Sequence, residues 1–243
     1  MDFQISDFDL KRFLASDDLE VLDTSNYSTL MKAAKEVIKT PQFITIVAPA
    51  GSGVTTALSN VVRVVRRNVL YCKADSSKSQ KSILRDFLSD CGYGDLAQHF
   101  RSSKLPDLMK SLCFHLNDAA TPKAILIFDG VDTWDKRRMS VTYELIRKIS
   151  TTTGCIMSYT PAFEKKLEMW ARSNSDIQEM IDAVSEPVYL SPPGEHEMNS
   201  ICYESGITNF RLIDMVVSKS NNLNQLKTRI NRLRRHVREI VEP

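Results

Sequence analysis

Read for apolar spacing alone, the chain alternates between short uninterrupted apolar runs and amphipathic stretches. Leu30, Ala33, Ala34 and Val37 recur at helical intervals in "TSNYSTLMKAAKEVIKTP" and stop at Pro41, which predicts a helix leading into the core. "QFITIVAPA" follows as a buried strand, and Ala57, Leu58, Val61, Val62 and Val65 then mark a helix over 55–67 packed on a sheet. "NVLYCKAD" predicts the next strand and "SQKSILRDFLSDCG" the next helix, with Gly92 as its C-terminal cap. A further helix over 105–116 precedes "KAILIFDGVD", whose run 124–128 is continuously apolar, as a central parallel strand requires. Helix "VTYELIRKIS", strand "CIMSYTPAF" and strand "EPVYLSP" complete the alternation. The expected fold is α/β, a parallel sheet with helices on both faces.

"SPPGE" breaks any regular element, and beyond it the pattern is purely helical: "EHEMNSICYESG", "FRLIDMVVSKS" and a last helix over 223–240. In that last helix Leu223, Leu226, Ile230, Leu233, Val237 and Ile240 form one apolar seam. The expected organisation is a helical lead-in over 1–40, an α/β domain over 41–191 and a small all-helical lid domain over 192–243. Internal repeats and low-complexity tracts are absent from the sequence.

Composition narrows the class. A chain of 243 residues buries one sizeable core, or one core plus a small appendage. Hydrophobic residues make up 42%, yet no apolar run approaches the roughly 18 residues that span a bilayer, so no membrane partner is expected. "MDFQISDFDLKRF" lacks the basic-then-apolar layout of a signal peptide, which places the protein in the cytoplasm. The five cysteines are scattered and never form C-x-x-C, so buried reduced thiols are expected in place of a metal site or disulfide framework. The four histidines are dispersed, and "GEHEM" lacks the i, i+4 pair of a zinc helix. Net charge is only +2, so any contact with nucleic acid must come from local clusters.

The candidate chemistry lies at "VAPAGSGVTTAL", residues 47–58, where a strand, a glycine loop and a helix follow in order. A phosphate loop works because successive backbone amides and a helix N-terminus point at the anion while glycines let the backbone approach. Gly51 and Gly53 supply that part, but the pattern G-x-x-x-x-G-K-[ST] finds Ala48 in place of its first glycine and Val54 in place of its lysine. Pro49, Ala50, Gly51, Ser52, Gly53, Val54, Thr55 and Thr56 are the candidate nucleotide-binding residues, with Thr55 where a magnesium-binding hydroxyl belongs. Losing a unit charge about 4 Å from another costs on the order of 4 kcal/mol at an effective dielectric of about 20. A micromolar ligand is worth only about 8 kcal/mol, so binding is weakened severely and hydrolysis more so. The alternative is a tight strand-to-helix turn without a ligand. "ILIFD" ends with Asp129, where a nucleotide hydrolase presents its magnesium-binding carboxylate, expected to face the loop across adjoining strands. Gly130 stands where many such enzymes carry a glutamate. The next carboxylate, Asp132, is a candidate to activate water or else to cap the following helix.

Together these residues resemble an AAA+ P-loop ATPase, and within that superfamily the regulators of DNA transposition typified by the phage Mu B protein and the target-selection ATPases of Tn7-like elements. The resemblance covers nearly the whole chain: Thr24 and the helix before the first strand, the loop, "VLYCKADSSKSQKSILRDFLSDCG", "AILIFDGVD", "IMSYTPAF" and the tail "ICYESGITNFRLIDMVVSKSNNLNQLKTRINR". In "IMSYTPAF", Thr160 matches the family's polar sensor, which joins Asp129 and Asp132 in the candidate catalytic set. Departures accompany the likeness. Val54 and Gly130 replace charged residues, and Asn224 and Gln225 stand where a lid arginine is often found. Arg172 is the candidate arginine finger.

The resemblance implies ATP and magnesium as cofactors with weak or absent hydrolysis, and Thr55 and Asp129 as the magnesium residues. It further implies assembly into a ring or helical filament on duplex DNA, and recruitment of a transposase. DNA contacts would come from Lys78 and Lys81 in "SSKSQK" and from Lys136, Arg137 and Arg138 in "DKRR", two basic turns on one side of the sheet. Two further clusters, Lys227, Arg229, Arg232, Arg234, Arg235 and Arg238 in the last helix and Arg63, Arg66 and Arg67 in "RVVRRN", either add phosphate contacts or solvate helices. Two other readings stand beside this one: a pseudo-ATPase adaptor that binds protein partners only, and an active AAA+ ATPase of DNA replication or repair.

Overall fold

The computed structural model describes residues 4–15, 24–65, 69–93, 103–118 and 124–241. Strands β1 (Phe43–Val47), β2 (Val69–Lys73), β3 (Ile125–Asp129), β4 (Gly154–Tyr159) and β5 (Glu186–Tyr189) form one sheet in the order β2-β3-β4-β1-β5, every pair parallel. Burial follows position in that order. The three inner strands are buried at every residue, which is why they read as unbroken apolar runs, whereas β2 alternates and β5 is largely exposed at the two edges. The helices are α1 (Leu10–Ala15), α2 (Ser25–Lys39), α3 (Val54–Val65), α4 (Gln80–Leu88), α5 (Leu105–Asn117), α6 (Lys136–Ile149), α7 (Pro161–Ala171), α8 (Ser175–Asp182), α9 (Glu195–Glu204), α10 (Phe210–Ser218) and α11 (Leu223–Val241).

Several expectations need correction. Strands β1 and β3 do not adjoin, because β4 lies between them and pairs with both: Val47 aligns with Tyr159 and Phe128 with Met157. The two strands still end at the same edge of the sheet. Gly92 caps nothing, since the chain continues from α4 into a π-helical turn, Ser89–Tyr93. The helix expected at 141–150 begins earlier, at Lys136, because the Asp135 side chain accepts a hydrogen bond from the Arg138 amide at 2.8 Å and caps it. "DKRR" is therefore the first turn of a helix, and Asp132 is not its cap. Between the fourth and fifth strands the chain forms two helices, α7 and α8, capped by the side chains of Thr160 and Asn174. Ile240 is 53% exposed and leaves the seam, which consists of Leu226, Ile230, Leu233 and Val237. Arg66 and Arg67 lie outside the described residues.

Contacts divide the chain into two compact units. One comprises Leu30–Ala48 and Thr55–Leu190, with a core of sheet and flanking helices that includes Leu126, Phe128, Trp134 and Phe163. Gly154 opens β4 where a Cβ would lie 2.3 Å from Val37 Cγ1, so this crossing of α2 requires glycine.

The second unit contains the residues up to Thr29, the loop Pro49–Val54 and the chain from Ser191 onward. Here the N-terminal segment is built into the helical lid. Phe8 bridges Ile207, Phe8 and Phe13 join the lid core, and Gly206 lets the Phe13 amide approach to 2.7 Å of its would-be Cβ. The last carbonyls of α1 have no intrahelical donor. Arginines of α11 supply them: Arg234 Nε donates to Phe13 O at 2.6 Å and Arg238 Nη2 to Leu14 O at 3.1 Å. Arg234 is only 3% exposed and its guanidinium also lies 5.3 Å from the Phe13 ring centroid. With Arg229 donating to Lys219 O, half of the six basic residues in this helix hold carbonyl oxygens of their own unit.

Replacing Arg234 by Met keeps the apolar stem and removes a charged donor from a buried carbonyl, which costs about 2–3 kcal/mol. The expected result is a clear fall in the urea midpoint for Arg234→Met, with Arg232→Met, on the exposed side of the same helix, within about 0.5 kcal/mol of the parent.

Candidate functional site

The loop between β1 and α3 is shaped by two glycines in the left-handed region, Gly51 at φ 82° and Gly53 at φ 85°. Ser52 is buried between them, and its amide and hydroxyl both donate to Pro49 O, at 3.3 and 2.7 Å. Within the same unit two other segments hold the loop. Asn26 Nδ2 donates to Ser52 O at 3.3 Å and to Ser191 O at 2.9 Å, while the Leu223 amide donates to Gly51 O at 3.1 Å. Asn222, whose carboxamide oxygen accepts from the Gln225 amide at the start of α11, packs on Gly51 so closely that a Cβ there would lie 2.7 Å from it. Leu223 Cδ1 stands 3.1 Å from the corresponding point on Gly53. The lid residues against the loop are thus Asn222 and Leu223, not Asn224 and Gln225.

Part of this frame fits a phosphate. The glycine conformations and the free first-turn amides of α3 are what an anion needs. Val54 opens the helix without a charge, and Thr55 and Thr56 are exposed on its first turn.

Asp129 ends β3 at 2% exposure. Its Oδ1 accepts from the Ser158 hydroxyl and its Oδ2 from the Tyr71 hydroxyl, each at 2.8 Å. Ser158, on β4, in turn accepts from the Gly130 amide at 2.8 Å. Burial, and then the carboxylate beside it, raise the Tyr71 phenol far above its ordinary value, so its proton stays in place. Gly130 sits at φ 70°, a conformation a glutamate would adopt only under strain. A divalent cation requires a carboxylate oxygen open to it. Here both oxygens face hydroxyl hydrogens, and magnesium at Asp129 does not fit.

The other two candidate catalytic residues meet one another. Asp132 lies in the 3-10 turn Val131–Thr133, and its Oδ1 accepts from both the amide, at 2.9 Å, and the hydroxyl of Thr160. Thr160 in turn caps α7 through Phe163 N. The pair fixes the start of α7 to the end of β3. Among the described residues no group of three or more His, Cys, Asp or Glu side chains is placed to hold a metal. The cysteines are free, and burial pushes Cys72 and Cys91 up to about 11 and Cys202 up to about 12.

The two basic segments converge. Arg138 Nη2 donates to Ser76 O at 2.9 Å and Gln80 Nε2 to Arg137 O at 3.1 Å, which seats the N-termini of α4 and α6 side by side. Lys136 Nζ reaches Ser173 Oγ at 3.0 Å, next to the exposed Arg172, and Lys78 pairs with Asp86 at 2.8 Å. The side chains of Lys81 and Arg137 have no hydrogen-bond or ion-pair partner among the described residues. Two helix N-termini and these cations make an edge that attracts anions.

The sequence profile of the AAA domain matches residues 36–167, more than half of the chain. The chain belongs to the AAA family. Its fold is that of solved AAA+ structures at low identity. The Orc1 protein of Aeropyrum pernix in complex with DNA superposes with a TM-score of 0.70 at 10% identity over 98% of this chain and 66% of its own. Cdc6p of Pyrobaculum aerophilum gives 0.64 at 11% identity, covering 93% and 63%. The replication initiator DnaA, bound to AMPPCP and single-stranded DNA, gives 0.54 at 14% identity, covering 94% and 65%. This AAA chain thus spans just under two thirds of those structures. No curated protein sequence matches it significantly. No helix among the described residues is long and apolar enough to cross a membrane.

Two glycines separate strain from crowding. Gly130→Ala meets no neighbour within 4 Å and should cost about 1 kcal/mol from its backbone alone. Gly51→Ala adds the collision with Asn222 and should cost about 2–3 kcal/mol. A double-mutant cycle with Asn222→Gly, read by thermal unfolding, should recover the difference, and strict additivity would refute the contact.

Proposed function

We propose that this chain is a DNA-binding AAA+ regulator of DNA transposition, which oligomerises on duplex DNA as a ring or helical filament, marks a target and recruits a transposase, with little or no ATP hydrolysis. The observation that carries the DNA part is the convergence of α4 and α6, which gathers Lys78, Lys81, Lys136, Arg137 and Arg138 at one edge beside two positive helix ends. Aromatic residues are not interleaved there, so contact is to phosphates and independent of base sequence. Loss of hydrolysis is supported by Val54, by Gly130 and by the engagement of Asp129 with Tyr71 and Ser158. Nucleotide, where it binds, is held by the amides of 51–56 without a lysine; Thr55, Asp132 and Thr160 are positioning residues in this reading.

A second reading, an AAA+ ATPase of DNA replication, draws on the solved structures of similar fold, which include Orc1 in complex with DNA and DnaA with AMPPCP and single-stranded DNA. It requires turnover that the first does not.

The deciding experiment is duplex binding by anisotropy between 50 and 300 mM salt, with phosphate release measured in the same samples. Affinity should fall steeply with salt and vary little with sequence. Lys81→Ala combined with Arg137→Ala should reduce the log–log slope by about 2. Phosphate release should stay at background. Absence of binding at low salt would leave only a protein adaptor, and DNA-stimulated release abolished by Asp129→Asn would favour the replication reading.

A further inference from the structure

The fold joins the helix after the phosphate loop to the carboxylate of the third strand through magnesium, held by a loop hydroxyl and that carboxylate. In this chain a phenol already occupies that carboxylate. The Tyr71 hydroxyl, on β2, donates to Asp129 Oδ2 at 2.8 Å, while Ser158, on β4, donates to the other oxygen. We infer that Tyr71 is an internal substitute for the divalent cation at Asp129, so that β2 and β3 are held together there by a side chain and any ATP bound to this chain is bound without a metal at Asp129.

The geometry favours this over a cation that merely awaits its ligand. Asp129 is 2% exposed and its second oxygen is engaged by Ser158, which the Gly130 amide orients. A metal would have to expel the phenol of Tyr71, itself half-buried, from its hydrogen bond to the carboxylate. A cation there would also displace the hydroxyl hydrogens that now neutralise the carboxylate. The inference rests on the hydrolysis-deficient part of the function proposed above and is independent of DNA.

The test is Mn²⁺ binding by electron paramagnetic resonance on the full chain, with and without ATP, for the parent, Tyr71→Phe and Asp129→Asn. The parent should show no saturable site that Asp129→Asn removes. Tyr71→Phe, which frees one carboxylate oxygen, should gain a site at least tenfold tighter, with its thermal midpoint rising on addition of Mn²⁺. A saturable parent site lost in Asp129→Asn overturns the inference, as does a folded Tyr71→Phe that binds no better than the parent. If Tyr71→Phe does not fold, amide exchange of the parent decides: β2 and the first turns of α3 should be equally protected with and without Mg·ATP, and added protection by the metal complex overturns the proposal. DNA binding measured on the same samples separates a failure of this inference from a failure of the DNA reading.

Discussion

A carboxylate buried at the end of a central strand has to be neutralised, and the way Asp129 is neutralised governs the rest of this site. An ionised group at 2% exposure is tolerated only with strong partners. Two hydroxyls provide them, one from β2 and one from β4, each hydrogen bond to the charge contributing about 1.5–3 kcal/mol. Because the donors come from the strands on either side, the charge ties three strand ends into one network. Ser158 passes the restraint on to the Gly130 amide, and Gly130 then turns in the left-handed region into the segment that presents Asp132 to Thr160. The edge of the sheet is thereby rigid without any bound group.

The loop obeys the same logic with weaker forces. Its glycine conformations leave carbonyls exposed, and Asn26 and the Leu223 amide take up those of Ser52 and Gly51. Where a lid arginine would bring charge, the first turn of α11 brings an amide, a short carboxamide and a leucine. A phosphate bound to this loop would meet backbone dipoles and almost no formal charge, which in water-exposed surroundings is worth far less than a lysine. At the loop and at Asp129 alike, neutral hydrogen-bond partners stand where the phosphate-loop pattern places ions.

Much of the fold was legible because the inner strands are buried on both faces and so appear as unbroken apolar runs: β1, β3 and β4 were all visible, as was the lid seam from Leu226 to Val237. The order of strands was not, since pairing is decided by tertiary contact, and β4 came to lie between two strands that looked adjacent. The missed helices had readable starts. Thr160-Pro161 and Asn174 followed by Ser175-Asp176 are capping signals, overlooked because strand patterns on either side dominated. In the site, Gly51, Gly53, Asp129 and the basic segments could be named from motif spacing. Tyr71, Ser158, Asn26 and Asn222 could not, because each acts through a partner 26 to 171 residues away that no local pattern encodes. Nor could the arginines of α11 be sorted by sequence: Arg234 and Arg232 look alike until burial distinguishes them.

Charge distribution connects these structural facts to the proposed role. The chain carries almost no net charge, and no cation stands in the phosphate loop, yet five cations gather at the N-termini of α4 and α6, where helix dipoles add to their field instead of opposing it. Three of the five are partly committed: Lys78 to Asp86, Lys136 to Ser173 and Arg138 to Ser76. That leaves Lys81 and Arg137 as the groups best able to meet phosphates, and two such contacts per protomer give only weak binding at physiological salt. Such an edge becomes useful when repeated. In the proposed assembly, protomers fixed side by side would present their cations to successive phosphates, and each added protomer would convert a weak contact into an intramolecular one at high effective concentration. A protein of the proposed design gains little from turning over a nucleotide and much from a reproducible edge, which the Arg138–Ser76 and Gln80–Arg137 hydrogen bonds supply.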